Sequence, residues 1–403
     1  MRKMTKVALS LLVATSSMTV NAELTFNGFA SIKAGMLFDD PKDLNNNGII
    51  ESDENAYSGF ITEDLSFKDN SLFAVQASAD LTQGLSATIQ LMAEGRDDFD
   101  VDARWAYLSY QLSDSWTVQA GRIILPAFYK SEFEKVGYAH NYNILPRSVY
   151  TPLAFSNVEG IRFNNNTYFG DWSLASSLGY SNWEGDIALG SNGESYAGSL
   201  KDIISGNFEL NRDWLALFGG AFVTDVEFDA LDAAVTNPTI DALLGPAVQA
   251  GLLTSADIAQ TKKALTFSGD GLYYYYGFDI DYNDWLATYE YAEYGIDDAG
   301  DSTNEVYYFT FGKRINDFVI TATIGEYEQP IDQGHIRALH PIAQPVARAI
   351  KENLANQKYT LDQISIRYNF HPAAAFKFDL FSWDPLKSGE DLTGFSMGVD
   401  LVF

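Results

Sequence analysis

Thr393-Gly-Phe-Ser-Met-Gly-Val-Asp-Leu-Val-Phe403 repeats with a period of two. Phe395, Met397, Val399, Leu401 and Phe403 share one face, while Ser396, Gly398 and Asp400 share the other. Successive side chains of an extended chain point to opposite sides, so this stretch is a strand with one apolar and one polar face. The same pattern stands upstream, where Ile364, Ile366, Tyr368 and Phe370 oppose Gln363, Ser365, Arg367 and Asn369. A tight turn at 371–374 leads into Phe376, Phe378 and Leu380, opposed by Lys377 and Asp379. One such strand would also suit a soluble sandwich; repetition along the chain decides.

Alternating segments are predicted at 24–37, 71–82, 85–95, 102–112, 116–123, 158–168, 172–181, 202–211, 214–225, 272–282, 285–295, 305–315, 318–327, 360–370, 375–384 and 393–403. That makes about sixteen strands, an even number as closed bacterial barrels require. Thr82-Gln83-Gly84, Ser113-Asp114-Ser115, Phe169-Gly170-Asp171, Arg212-Asp213, Asn283-Asp284 and Asn316-Asp317 are short turns of turn-forming residues. Longer acidic connections fall between them at 38–70, 125–157, 227–270 and 328–359. Short turns on one rim and long loops on the other is the outer-membrane pattern. Trp116, Trp172, Trp214, Trp285 and Phe318 each begin a strand beside a short turn, where an aromatic girdle meets lipid head groups. Two strands are ambiguous: in 102–112, Trp105 and Tyr107 oppose Arg104 and Tyr110 but also Leu108, and in 116–123 the faces do not separate. Strand 24–37 puts Gly28, Ala30 and Ala34 on its apolar face, which suits contact with another protomer.

The ends and composition narrow the class. Arg2, Lys3 and Lys6 precede an apolar run from Val7 to Ala14, and Val20 and Ala22 offer small residues before a cut at Ala22/Glu23. Residues 1–22 are therefore expected to be a cleaved signal peptide, with 23–403 forming a single barrel domain. The formal net charge is −28, and removing the three basic residues of the leader leaves −31, which disfavours nucleic acid. No cysteine is present, so disulfide frameworks and thiolate metal sites are excluded. With 46% hydrophobic residues the chain is not disordered, yet no apolar run after the leader is long enough for a spanning helix. Closed barrels are the other way to cross a bilayer, because their backbone groups are satisfied between strands.

The leader, the opening Leu24-Thr-Phe-Asn-Gly-Phe strand, Val118-Gln-Ala-Gly-Arg122 before a long third loop, and the strand ending in Phe403 resemble the Gram-negative trimeric diffusion porins. The resemblance covers the whole mature chain. It implies an all-β, transmembrane antiparallel barrel of sixteen strands, a homotrimer in outer-membrane lipid, and a third loop that folds into the lumen. In that family acidic groups on the loop face basic groups on the opposite wall. The matching residues here are Glu132 and Glu134 on the loop, against Lys33, Arg104, Arg122 and Arg162. The family's glycine-containing acidic motif is not reproduced in this loop. Opposed charges across a narrow lumen would set up a transverse field that penalises apolar solutes.

Other chemistry is sparse. Four histidines, His140, His335, His340 and His371, fall in loops or a turn, are read as solvated, and make neither zinc spacing nor a nucleophile relay. The chain is not expected to be an enzyme or to require a cofactor. Asp43, Asn45, Asn47, Ile49, Glu51 and Glu54, with Gly48 at the sharp turn, fit the twelve-residue calcium loop, so Ca²⁺ is expected in the first extracellular loop with weak affinity. Residues 239–266 and 342–356 read as partly helical, the latter through Ile342, Val346, Ile350 and Leu354. The expectation is a passive, cation-preferring pore for small hydrophilic solutes and ions in the outer membrane. Its rivals are a substrate-specific porin with aromatic loop residues stacking on sugars, an outer-membrane enzyme, and a plugged, calcium-stiffened structural or adhesive barrel.

Overall fold

The computed structural model describes residues 24–38, 61, 64–68, 70–150, 157–189, 194–296, 303–330, 333–354, 358–385 and 391–403. The proposed leader and the calcium loop Asp43–Glu54 lie outside these residues. No described helix is long and apolar enough to cross a membrane. Sixteen antiparallel strands close into one barrel: β1 (Leu24–Leu37), β2 (Leu72–Thr82), β3 (Leu85–Glu94), β4 (Val101–Gln111), β5 (Trp116–Ile124), β6 (Asn157–Phe169), β7 (Trp172–Leu189), β8 (Glu194–Arg212), β9 (Leu215–Glu227), β10 (Gly269–Tyr282), β11 (Trp285–Ile296), β12 (Asn304–Ile315), β13 (Phe318–Glu328), β14 (Lys358–His371), β15 (Ala374–Pro385) and β16 (Leu392–Val402). Each strand pairs with its sequence neighbours, and β16 pairs with β1 to finish the ring.

Exposure follows the alternation. Phe26, Ile32, Leu178, Ile204, Leu272, Tyr276, Ile324, Ile364 and Leu380 are exposed on the outer face, while Thr310, Thr321, Gln363, Ser365 and Asp379 are buried on the inner one. A soluble protein would bury the first set; a barrel in lipid turns it outward. Trp116, Trp214, Trp285 and Phe318 are exposed beside the short turns, as a girdle requires. In the Asn283-Asp284 turn both residues are left-handed, with φ of 49° and 68°, a geometry whose twist matches the strands it joins.

Irregularities explain where the sequence pattern fails. In β4, Trp105 stands opposite Gln90 and Ala103 opposite Leu91, so Arg104 is an extra residue in a bulge. The bulge keeps Arg104 on the inner side with Trp105 and Tyr107, and sends Leu108 and Tyr110 outward. Strands β7 and β8 run 18 and 19 residues, well beyond the predicted 172–181 and 202–211. Register shifts at Asn182 and at Asp202 break the period of two, and beyond them Trp183, Leu200 and Ile203 are buried.

Two connections on the long-loop rim carry helices: α1 (Asn237–Gln249) and α2 (Ser255–Ala264) between β9 and β10, and α3 (Gln333–Ala338) and α4 (Ala343–Leu354) between β13 and β14. They pack on one another through Ile240, Leu244, Leu253, Ile336 and Ile350. Of the expected stripe on α4, Ile350 is buried and Val346 packs partly against the same cluster, Ile342 is exposed, and Ala343 and Ala347 complete the buried face. Thr254 starts α2 with a capping box: its hydroxyl accepts from the Asp257 amide, and Asp257 accepts from the Thr254 amide at 2.7 Å.

Candidate functional site

The third long loop leaves β5 at Leu125 and lies inside the barrel. Its first limb is apolar. Phe128 and Tyr150 are buried in a cluster with Phe218, Phe222, Tyr273 and Tyr308 of the inner wall. The Tyr129 ring stacks on Phe218 with centroids 3.7 Å apart and planes 1° from parallel. Glu290 on β11 closes this clamp, accepting from the Tyr129 amide at 2.8 Å and from the Tyr150 hydroxyl. Burial and the nearby Glu290 carboxylate hold the Tyr150 phenol protonated, its pKa well above the usual value, which suits a donor.

Polar bonds to the opposite wall hold the second limb. Lys377 on β15 donates to the Gly137 carbonyl, and Arg367 on β14 donates to the carbonyls of Tyr138 at 2.7 Å and His140 at 2.9 Å. Lys33 on β1 reaches the Asn143 carbonyl at 2.5 Å. Running the other way, Asp379 accepts from the amides of Asn143 and Ile144 at 3.0 and 2.8 Å, and Tyr142 donates to Thr310 at 2.8 Å. Behind the contact, Lys377 pairs with the buried Asp400 at 2.7 Å, and Asp400 also accepts from Ser31. Gly137 permits the approach, since a Cβ there would collide with the Asp400 carboxylate. Loop carbonyls face wall cations and loop amides face wall carboxylates, so the loop is bound mainly through its backbone.

This differs from the expected arrangement of acids on the loop against bases across the lumen. Glu132 does meet Arg162, at 2.5 Å, but on the wall strand into which the loop returns. Arg162 also donates to Gln119 on the adjacent β5. Glu134 lies 3.5 Å from Lys135 of its own loop, and buried Arg104 is within Coulombic reach of Glu134 and Glu94. Lys33 is on the inner wall but spends its ammonium on the Asn143 carbonyl, 3.7 Å from Asp400. Arg122 is misplaced by the sequence reading. It stands opposite Ala106 and Glu159, two residues along each ladder from the outward Leu108 and Ile161, and so belongs to the outer face. There it pairs with Glu159 at 3.1 Å and Asp102 at 3.4 Å.

His140, read as solvated, is buried instead, its Nε2 beside the carbonyls of Phe133 and Glu134. Burial, then the charges of Lys130, Lys377 and Lys33, push its pKa well below the usual 6.5, so the ring is neutral. Among the described residues no cluster of three or more His, Asp or Glu could hold a metal ion. The residues sequence reasoning missed are Glu290, Arg367, Lys377, Asp379 and Asp400. The last four stood on the polar faces of alternating strands, which was the available signal.

No family model and no curated protein matches the chain. Solved structures do. The outer-membrane channel DcaP of Acinetobacter baumannii superposes with a TM-score of 0.56 at 12% identity, over 96% of this chain and 99% of that one. The chain has the porin fold. An anion-selective porin from Comamonas acidovorans gives 0.55 at 13% identity, covering 95% and 100%. The trimer form of OmpT, an outer membrane protein of Vibrio cholerae, gives 0.53 at 11%, covering 95% and 99%. Within that fold, the inner loop and its wall contacts occupy the inside of the barrel.

Proposed function

We propose that the protein is an outer-membrane channel for passive diffusion of small hydrophilic solutes and ions. The observation that carries this reading is a closed sixteen-strand barrel with exposed apolar side chains outside, polar ones inside, and one loop narrowing the lumen. Purified protein in a planar bilayer should give stepwise, voltage-independent conductance at low potential; silence at every potential would defeat the reading. A net charge of −28 supports preference for cations, which reversal potentials in a KCl gradient measure. Of the loop aromatics behind the oligosaccharide-specific alternative, Phe128, Tyr142 and Tyr150 are buried and Tyr129 is stacked on Phe218, which leaves Phe133 and Tyr138 partly exposed.

Two further readings belong with the channel. A homotrimer in outer-membrane lipid is supported by the outward Arg122 and Glu159 near the long-loop ends of β5 and β6, since charges facing lipid are disfavoured and a neighbouring protomer would shield them. Native mass spectrometry in detergent tests the oligomer. Calcium at Asp43–Glu54 would stiffen the first loop, so Glu54→Gln should lower the melting temperature in calcium and leave it unchanged in chelator.

A further inference from the structure

The inner loop does not cover the whole wall. Inward side chains of β12, β14 and β15, such as Tyr308, Gln363 and Asp379, are buried against it. On β5 to β8, toward the short turns, the inward Thr117, Gln119, Asn164, Ser177 and Asn207 stay partly exposed to the lumen. Thr117, Asn164, Ser177 and Asn207 stand directly opposite one another across three ladders, and Gln119 lies in the next row beside Arg162. Adjacent strands set such neighbours about 4.8 Å apart.

Arg162 fixes the polarity of this patch. Its guanidinium can only donate, and its Nε and Nη2 bind Gln119 Oε1 at 3.2 and 2.9 Å. The oxygen end of the Gln119 amide is thereby held to the arginine and its NH2 end is turned away. Asn164 Nδ2 donates to the same oxygen at 3.1 Å, which leaves Oδ1 as the free end of that amide. Neither Gln119 Nε2 nor Asn164 Oδ1 has a hydrogen-bond partner among the described residues, and neither atom is sealed from solvent. Glu132 meets Arg162 at 2.5 Å, so the arginine brings no uncompensated charge. A free donor and a free acceptor therefore stand side by side on two amides that hold each other in place.

We propose that this patch is a binding subsite for uncharged polyhydroxy solutes, with adjacent hydroxyls of a polyol or sugar bridging Gln119 Nε2 and Asn164 Oδ1. The inference rests on the channel reading and names a solute class for it. A hydroxyl both donates and accepts, so a neighbouring pair satisfies both amides at once. A carboxylate would meet Asn164 Oδ1 acceptor to acceptor, and an ammonium would meet Gln119 Nε2 donor to donor, so both ions are disfavoured. Farther along the row Ser177 donates to Asn207 and keeps its own oxygen as an acceptor. Glu209, next on the inner face of β8, adds another acceptor, held by the Tyr129 hydroxyl at 3.3 Å.

Myo-inositol, an uncharged ring of adjacent hydroxyls, is the probe. Triethylene glycol is the control, being uncharged and of similar size but without adjacent hydroxyls. In planar bilayers myo-inositol should reduce single-channel current saturably, whereas triethylene glycol should lower it only as it lowers the conductivity of the bulk solution. Gln119→Glu keeps an oxygen toward Arg162 but replaces the free donor with an acceptor, and Asn164→Ala removes the free acceptor. Each should weaken the myo-inositol block about tenfold, the scale of one lost hydrogen bond, with folding verified by melting in detergent. Equal behaviour of the two solutes on the natural protein, or an unchanged block in either folded variant, overturns the subsite. Conductance without saturable block also overturns it and leaves the channel standing. Silence at every potential defeats the channel; titration calorimetry of myo-inositol into the solubilised protein then decides the site alone, saturable heat keeping it and none removing it.

Discussion

The inner loop and the helical cap are both long excursions from one rim, yet opposite forces hold them. The cap between β9–β10 and β13–β14 carries an apolar core of its own, with Ile240, Leu244, Ile336 and Ile350 buried together. The inner loop borrows: its rings pack on wall tyrosines, and its backbone is bonded to Lys377, Arg367, Lys33, Asp379 and Glu290 of the barrel. Apolar packing tolerates substitution gradually, whereas buried charges are costly once a partner is lost. The cap should therefore behave as an appendage with its own stability, and the loop as part of the barrel.

Substitutions in each region test that contrast, starting with the most damaging. Lys377→Met leaves buried Asp400 with only the more distant Lys33, at 3.7 Å, and frees the Gly137 carbonyl, at a cost of about 3 kcal/mol to the whole barrel. Melting in detergent followed by circular dichroism should show the drop, and single-channel current should become noisy; an unchanged melt would mean the loop is not coupled to the wall. Leu244→Ala empties part of the cap core and should cost about 2 kcal/mol, the lower end of the range for such truncations. Here the loss should appear in hydrogen exchange of α1, α2 and α4, with the barrel transition unmoved.

Acid adds a milder test. His140 is neutral when folded because burial and neighbouring lysines depress its pKa, while in the unfolded chain it titrates near 6.5. Below that value the unfolded state binds more protons, so stability is intact above about pH 6.5 and falls as the pH drops beneath it, by at most about 1.4 kcal/mol per unit. His140→Gln should flatten the slope of melting temperature between pH 6.5 and 5; an unaltered slope would place the titrating group elsewhere. The smallest effect should come from Thr254→Ala, which removes the α2 cap for about 1 kcal/mol and frays only that helix in hydrogen exchange.

How much of this was legible in sequence depends on what each residue answers to. Lipid is a uniform partner, so outward positions repeat every second residue and all sixteen strands could be placed from them. Bulges at Asn182 and Asp202 hid the extensions of β7 and β8, and the one at Arg104 blurred the faces of β4, because an extra residue reverses the period locally. Arg122 lies on the other face from the one its sequence suggests, since its own strand shows no clean alternation; the outward Leu108 and Ile161, two residues along the neighbouring ladders, settle it. The loop contacts were illegible for another reason. Lys377 and Gly137 are 240 residues apart, and nothing in a single chain says which inward polar group a loop will meet.

The pairing of β1 with β16 has a consequence for assembly. Fifteen ladders join neighbours in the chain and can zip as soon as two strands exist, but this seam must wait for the final strand. Until then the sheet has two open edges, each able to template pairing with another copy. Closure is where folding and aggregation compete, and the mutual backbone bonds of Gly28 and Phe403 are the clasp that ends the contest.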